Sequence, residues 1–298
     1  MNKIIECVPN FSEGKDANKI AELVSEVVSV KGVKLLDYSM DSDHNRSVIT
    51  FCGDVEGIKE AAFNIARKAS EIIDMRYHKG QHPRIGALDV MPFVPVKNAT
   101  MEECIEIARE VGKRIGDELN IPVYLYEEAQ PNPKRKNLED IRRGEYEHFF
   151  EKIKMPEWVP DFGPHEMNEK SGVTVIGARH FLIAYNVNLG TNNIDIAKKI
   201  AKAVRFSSGG FRYLKAMGVD LKQRNIVQVS MNFTNYEKTP VFRVFEVIKR
   251  EAARYGVNVV GSELIGLIPA KALYDTAEYY LMMENFSYDK VIEYRLYE

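Results

Sequence analysis

The sequence predicts an α+β protein built as two α/β halves with a ligand cleft between them. Three observations carry that prediction. Short β-rich runs alternate with long amphipathic stretches, the change of hydrophobic period that separates strands from helices. The first half runs in the order β-α-β-β-α-β. A stretch holding three prolines, residues 156–171, reads as a linker or ordered loop before a second α/β series.

Residues 4–8 read as a strand. Residues 16–29 read as a helix, with Ile20, Leu23, Val24, Val27 and Val28 spaced to line one face. Residues 33–38 and 47–52 are two strands around a polar turn, 40–46. A second helix spans 55–75 and a strand spans 91–96. A third helix, 101–119, follows Thr100 as its N-cap, and another strand covers 123–126. This order matches a ferredoxin-like unit, an antiparallel sheet with helices on one face. In the second half, strands at 173–176 and 181–187 precede a helix at 194–204, a glycine-rich turn at 207–210 and a strand at 226–232. A helix at 241–255, a strand at 257–260 and a helical segment at 270–283 follow, and 288–296 has no definite pattern. The halves are therefore residues 1–170 and 171–298.

Composition narrows the function classes. The chain has 41 Lys and Arg against 43 Asp and Glu, a net charge of −2, which argues against a general nucleic-acid binder. The longest run free of charged residues, 180–194, is too short and too rich in asparagine to cross a bilayer. Glu6 interrupts any apolar signal core, so the expected compartment is the cytoplasm. Cys7, Cys52 and Cys104 are far apart and show no C-x-x-C spacing, so buried free thiols are expected.

The densest chemistry lies in the stretch from His78 through Gly80, His82, Pro83 and Arg84 to Asp89. Pro83 pushes His82 out of the helical region, so the segment is a loop rather than a metal-binding helix face. Two readings stand for His82: a proton-transfer group near a bound anion, or a loop histidine satisfied by backbone. The segment Asp41-Ser42-Asp43-His44-Asn45-Arg46 lacks the offsets of a calcium loop and reads as a polar turn. It can still place Asn45 and Arg46 on a substrate. Lys134-Arg135-Lys136 and Arg142-Arg143 read as a solvated basic face or as a lure for an anionic tail. The loops 161–165 and 207–212 contain glycines but neither nucleotide-binding pattern.

Five ordered segments resemble the glutamate formimidoyltransferase (formiminotransferase) family, stand-alone form. They are Glu6-Cys7-Val8-Pro9-Asn10-Phe11-Ser12-Glu13-Gly14, Asp43-His44-Asn45-Arg46-Ser47-Val48, His82-Pro83-Arg84-Ile85-Gly86-Ala87-Leu88-Asp89-Val90, Pro160-Asp161-Phe162-Gly163-Pro164, and Gly177-Ala178-Arg179 with Phe181-Leu182-Ile183-Ala184-Tyr185-Asn186. The resemblance implies transfer of a formimidoyl group between N-formimidoyl-L-glutamate and tetrahydrofolate, a step of histidine degradation. It implies a folate tunnel between two subdomains, a homodimer, tetrahydrofolate as co-substrate and no metal. The family's mammalian members carry a further cyclodeaminase domain, for which this length leaves no room.

Carried onto this chain, the catalytic histidine falls on His82. The folate loop falls on residues 163–172, with Gly163, Pro164, His165 and Gly172, and a further glycine contact falls at Gly210, beside Phe211. Asn10, Asn45, Arg46 and Arg84 are expected on substrate, the arginines on carboxylates that suit their fork. Asp37-Tyr38-Ser39 departs from the D-x-D of some members, which leaves Asp41 or Asp43 as the acidic helper. Related expectations keep the folate and exchange glutamate for glycine, or cyclise 5-formyltetrahydrofolate. An expectation of another class is a non-catalytic folate-binding protein.

Overall fold

The computed structural model describes residues 3–296. Met1, Asn2, Tyr297 and Glu298, the outer ends of the two expected halves, lie outside the described residues. The chain divides into two compact units, Met1–Arg179 and His180–Glu298.

The first unit forms around one sheet. Strands β1 (Ile4–Cys7) and β2 (Asn10–Phe11) are two pieces of one line, and both pair antiparallel with β4 (Arg46–Gly53) and β5 (Leu88–Lys97). The line breaks at Pro9, which has no N–H for the ladder, although its carbonyl still accepts from the Ile49 N–H. Strand β3 (Val33–Asp41) pairs antiparallel with β4 on the outside. Helix α1 (Ala17–Val28) starts on Asp16, whose carboxylate accepts from the Asn18 and Lys19 N–H groups. Helix α2 (Val55–Ile72) starts in the same way on Asp54.

Two more strands extend this sheet. Helix α3 (Met101–Leu119), opened by a capping box of Thr100 and Glu103, leads to β6 (Val123–Glu127). Strand β7 (Thr174–Ala178) lies between β5 and β6 and runs parallel to both. The strand expected to open the second half therefore belongs to the first sheet. The first unit runs on to Arg179, past the join drawn at residue 170. Strands β6 and β7 are buried nearly throughout, as parallel strands covered on both faces must be.

Alternation along these strands assigns the two faces. Val123, Leu125 and Ile176 join Phe51, Phe93 and the inner faces of α1, α2 and α3 in one apolar cluster. Tyr124, Tyr126, Val173 and Val175 point the other way, onto Ile141 and Phe149. Those two residues come from the short helices α4 (Leu138–Arg142) and α5 (Glu145–Lys152). The proline-rich stretch is an ordered strap of this unit: the Asp161 N–H donates to the Val123 carbonyl, and Gly86 bridges Gly172.

The second unit is a separate four-stranded antiparallel sheet in the order β11-β8-β10-β9. Its strands are β8 (Ile183–Leu189), β9 (Leu214–Leu221), β10 (Ile226–Phe233) and β11 (Val259–Ile265). Strand β9 was missed in the sequence. Helices α6 (Ile194–Val204) and α7 (Val241–Arg254) pack Ile200, Val204, Val244 and Ile248 onto Val187, Val227 and Val229. Helix α8 (Ala270–Leu281) and the short α9 (Ile292–Leu296) follow. No helix among the described residues is long and apolar enough to cross a membrane.

Candidate active site

Three connections of the first unit meet backbone to backbone: the segment after β2, the turn between β3 and β4, and the loop between α2 and β5. Two glycines permit this. A Cβ on Gly14 would stand 2.2 Å from the Asp41 carbonyl oxygen, and one on Gly80 would stand 2.3 Å from that of His44. Asn45, left-handed at φ 49°, ties all three together. Its Oδ1 accepts from the Gly14 N–H at 2.9 Å, its Nδ2 donates to the Lys79 carbonyl at 2.9 Å, and its own carbonyl accepts from His78 Nε2. Asn45 is thus a bracket between the three connections. A polar groove of about 730 Å³ opens here, lined by Glu13, Lys15, Asn45, Tyr77, His78 and Lys79.

Beneath the loops lies Asp89, fully buried. One of its oxygens accepts from Arg46 Nη1 at 2.7 Å and also from Arg142 Nη2, and the other accepts from the Ile85 N–H at 3.0 Å. Burial alone would raise its pKa, but Arg142, Arg46 and these hydrogen bonds outweigh it and hold the carboxyl below its ordinary value. Arg46 is pushed down to about 10 by burial and by Arg142, against the opposing pull of Asp89. Its Nε donates to Asn10 Oδ1 at 3.2 Å, and Asn10 Nδ2 donates to the Val8 carbonyl. Asn10 and Arg46, expected on substrate, are therefore engaged with the protein's own groups.

His82 stands beside this cluster, half-buried. Its Nδ1 lies 2.7 Å from the Pro83 carbonyl oxygen, which can only accept. Nδ1 therefore carries the hydrogen, and in the neutral ring the basic lone pair is on Nε2. Burial, then Arg46 and Arg142, lower its pKa to about 4, only partly offset by the Pro83 bond and Asp89. The ring is therefore neutral at physiological pH, the form in which it can accept a proton. The His44 ring lies edge-on to it, with centroids 6.2 Å apart. His44 Nδ1 is 2.9 Å from Asp41 Oδ2.

Arg84 is engaged with three side chains of this unit. Nη2 and Nη1 grip Glu147 at 2.6 and 2.8 Å, Nη1 also reaches Glu145 at 3.0 Å, and Nε donates to His78 Nδ1 at 3.1 Å. The fork expected on a substrate carboxylate clasps Glu145 and Glu147 of α5. The basic run divides similarly: Arg135 and Arg142 turn inward onto Asp161 and Asp89, while Lys134, Lys136 and Arg143 are exposed. The reading of the run as one solvated or tail-binding face is corrected accordingly.

The folate-loop residues fall in different surroundings. Gly163, at φ 80°, packs on α3 beside Gly116, and His165 Nε2 donates to the Ile153 carbonyl, with Pro164 half-buried between them. Gly172, at φ 72°, lies against Ile85 and Gly86, on the same loop as His82. Gly210 belongs to the second unit, after α6. The sequence reading missed Asp89 and Arg142 as partners. Asp89 was in view only as the end of a motif, and nothing local marks a pairing across 43 and 53 positions. No group of three His, Cys, Asp or Glu side chains among the described residues is gathered to hold a metal ion.

Comparison with known proteins assigns both units. Residues 4–179 match the N-terminal subdomain of the formiminotransferase domain, and residues 184–294 match the formiminotransferase domain itself. The chain belongs to the formiminotransferase family. It is 55% identical over 98% of both chains to the glutamate formimidoyltransferase of Streptococcus pyogenes serotype M1. It is 50% identical to that of Thermoplasma acidophilum, covering 98% of this chain and 97% of the relative. The mouse formimidoyltransferase-cyclodeaminase is 46% identical, and this chain spans 54% of its length. The resemblance read in the five segments thus extends along nearly the whole chain, and the expectation of a transferase stands with it.

Proposed function

We propose that this chain transfers the formimidoyl group between N-formimidoyl-L-glutamate and tetrahydrofolate. The observation that carries the reading is a neutral His82 whose Nδ1–H is fixed on Pro83, leaving Nε2 as the base, in a chain more than half identical to a relative named for this reaction. N5 of the folate attacks the amidinium carbon and gives its proton to His82 Nε2. His82 returns that proton to the departing glutamate nitrogen, a role typically worth 10²–10⁴-fold. The amidinium is already cationic, so Arg46 and Arg142, neutralised in part by Asp89, keep His82 unprotonated rather than activate the carbon. Gly172, beside Ile85 and Gly86, is the member of the folate set whose position next to the His82 loop favours a role at the pterin end.

Each unit reads as ferredoxin-like. The order β3-β4-β1/β2-β5 supports this in the first and β11-β8-β10-β9 in the second, both antiparallel. In the first, β7 and β6 are an added parallel pair. The test is incubation of the protein with tetrahydrofolate and N-formimidoyl-L-glutamate, read by folate absorbance and by glutamate released. Equal turnover with the glycine analogue would overturn the choice of glutamate, and no product with either would overturn the reading.

A further inference from the structure

We propose that His44, oriented by Asp41, carries protons between bulk water and His82. The inference rests on the transfer reaction proposed above. In that reaction the N5–C bond forms as the C–N bond to glutamate breaks, and the proton lost by N5 goes through His82 to the departing nitrogen. The α-amino group so freed takes a further proton and leaves as ammonium, so each turnover draws one proton from water. His82 is badly placed to fetch it. The ring is half-buried and feels the positive charge of Arg46 and Arg142, and its Nδ1 is committed to Pro83.

His44 has the complementary properties. Its side chain is 49% exposed, and that of Asp41 is 53% exposed. The imidazole presents Nδ1 to Asp41 Oδ2, which fixes the ring and leaves Nε2 to exchange protons. Its ring meets that of His82 edge-on at 66° with 6.2 Å between centroids, and the relay runs through a water between the two rings. The arrangement is held by several backbone contacts. Asp41 Oδ1 also accepts from the Asp43 and His44 N–H groups, Gln81 N–H donates to the Asp43 carbonyl, and Gly80 packs on the His44 carbonyl. The charged groups around the pair are Asp41 and Asp43 on its own turn, Lys79 and His78 on the facing loop, and Arg46, Arg142 and Asp89 around His82.

The test measures turnover of His44→Ala and Asp41→Asn at low buffer concentration, with and without added imidazole, alongside thermal unfolding. The expected result for His44→Ala is a fall in kcat on the order of tenfold, below the 10²–10⁴-fold of a group in direct contact with substrate. Michaelis constants should be unchanged and added imidazole should restore the rate. Asp41→Asn keeps the turn's acceptor oxygen but removes the carboxylate that orients the ring, and should lower kcat in the same way with Michaelis constants unchanged. An undiminished rate in His44→Ala, or a loss that imidazole does not repair, overturns the inference. If the unaltered protein transfers no formimidoyl group, it is the proposed reaction that fails, so the two failures are distinguishable.

Discussion

Replacing Asp89 by Asn tests the arrangement on which the site rests. The substitution keeps the shape and removes the negative charge that faces two inward-turned guanidinium groups, Arg46 at 2.7 Å and Arg142 closer still. Removing one partner of a buried ion pair typically costs about 3–5 kcal/mol, because the other charge stays buried without compensation. For a unit of this size each kcal/mol corresponds to about 2–4 °C, so melting should drop by about 6–20 °C at pH 7. The penalty must also depend on pH in a defined direction. The Asp89 carboxyl is held below its ordinary value in the folded protein, so its contribution is fully present above the unfolded value near 4. That contribution is lost as pH falls through the depressed folded value. Circular-dichroism melts from pH 7 downward should therefore show the two proteins converging in acid. A drop under about 2 °C at pH 7, or a gap that stays constant into acid, would refute the reasoning.

Other consequences can be checked directly. His82→Ala should stay folded and bind folate yet lose about 10²–10⁴-fold in turnover, and a near-normal rate would remove it from the mechanism. With its pKa lowered to about 4 by burial and the two arginines, His82 should give kcat/KM no acid limb near 6.5, whereas an NMR titration midpoint there would contradict the environment described. The same depression means that the unfolded chain binds the extra proton between about pH 6.5 and about pH 4, so His82 costs stability as pH falls through that window. Arg84→Met should loosen α5 by about 1 kcal/mol in chemical denaturation, since Glu145 and Glu147 are largely exposed, while leaving substrate affinity nearly intact. A large rise in either Michaelis constant would return Arg84 to the substrate. Gly172→Ala forces a left-handed residue and a Cβ 2.2 Å from the Ile85 carbonyl oxygen, which should cost more than about 1 kcal/mol in the same assay.

Much of this fold was legible because local signals were strong. Thr100 marks one helix start, and the spacing of Ile20, Leu23 and Val27 is enough to mark a buried face. Strand β9 escaped because Lys215, Gly218 and Asp220 interrupt its apolar alternation, so only pairing with β10 makes it a strand. The site was legible as a location more than as a set of roles. His82 could be singled out from the proline beside it and from the family's motif. That Arg46 and Arg84 satisfy Asp89 and Glu147 could not, because the sequence shows the arginines but not which carboxylates the fold brings to them. Asn45 was in view only as a possible substrate contact, because its bracket needs partners 31 and 34 positions away.

The place of β7 has a bearing on how the protein comes into being. Strand β7 sits between β5 and β6 but is made last of the three, about fifty residues after β6 begins. Until residues 174–178 leave the ribosome, the finished antiparallel strands and β6 each present an open edge, the kind of surface on which unfinished chains stick to one another. A nascent chain halted near residue 170 would carry every helix from α1 to α5 and still lack the strand that closes the gap. Synthesis at high temperature or high chain density should therefore lose more of this protein to early self-association than the stability of the finished sheet suggests.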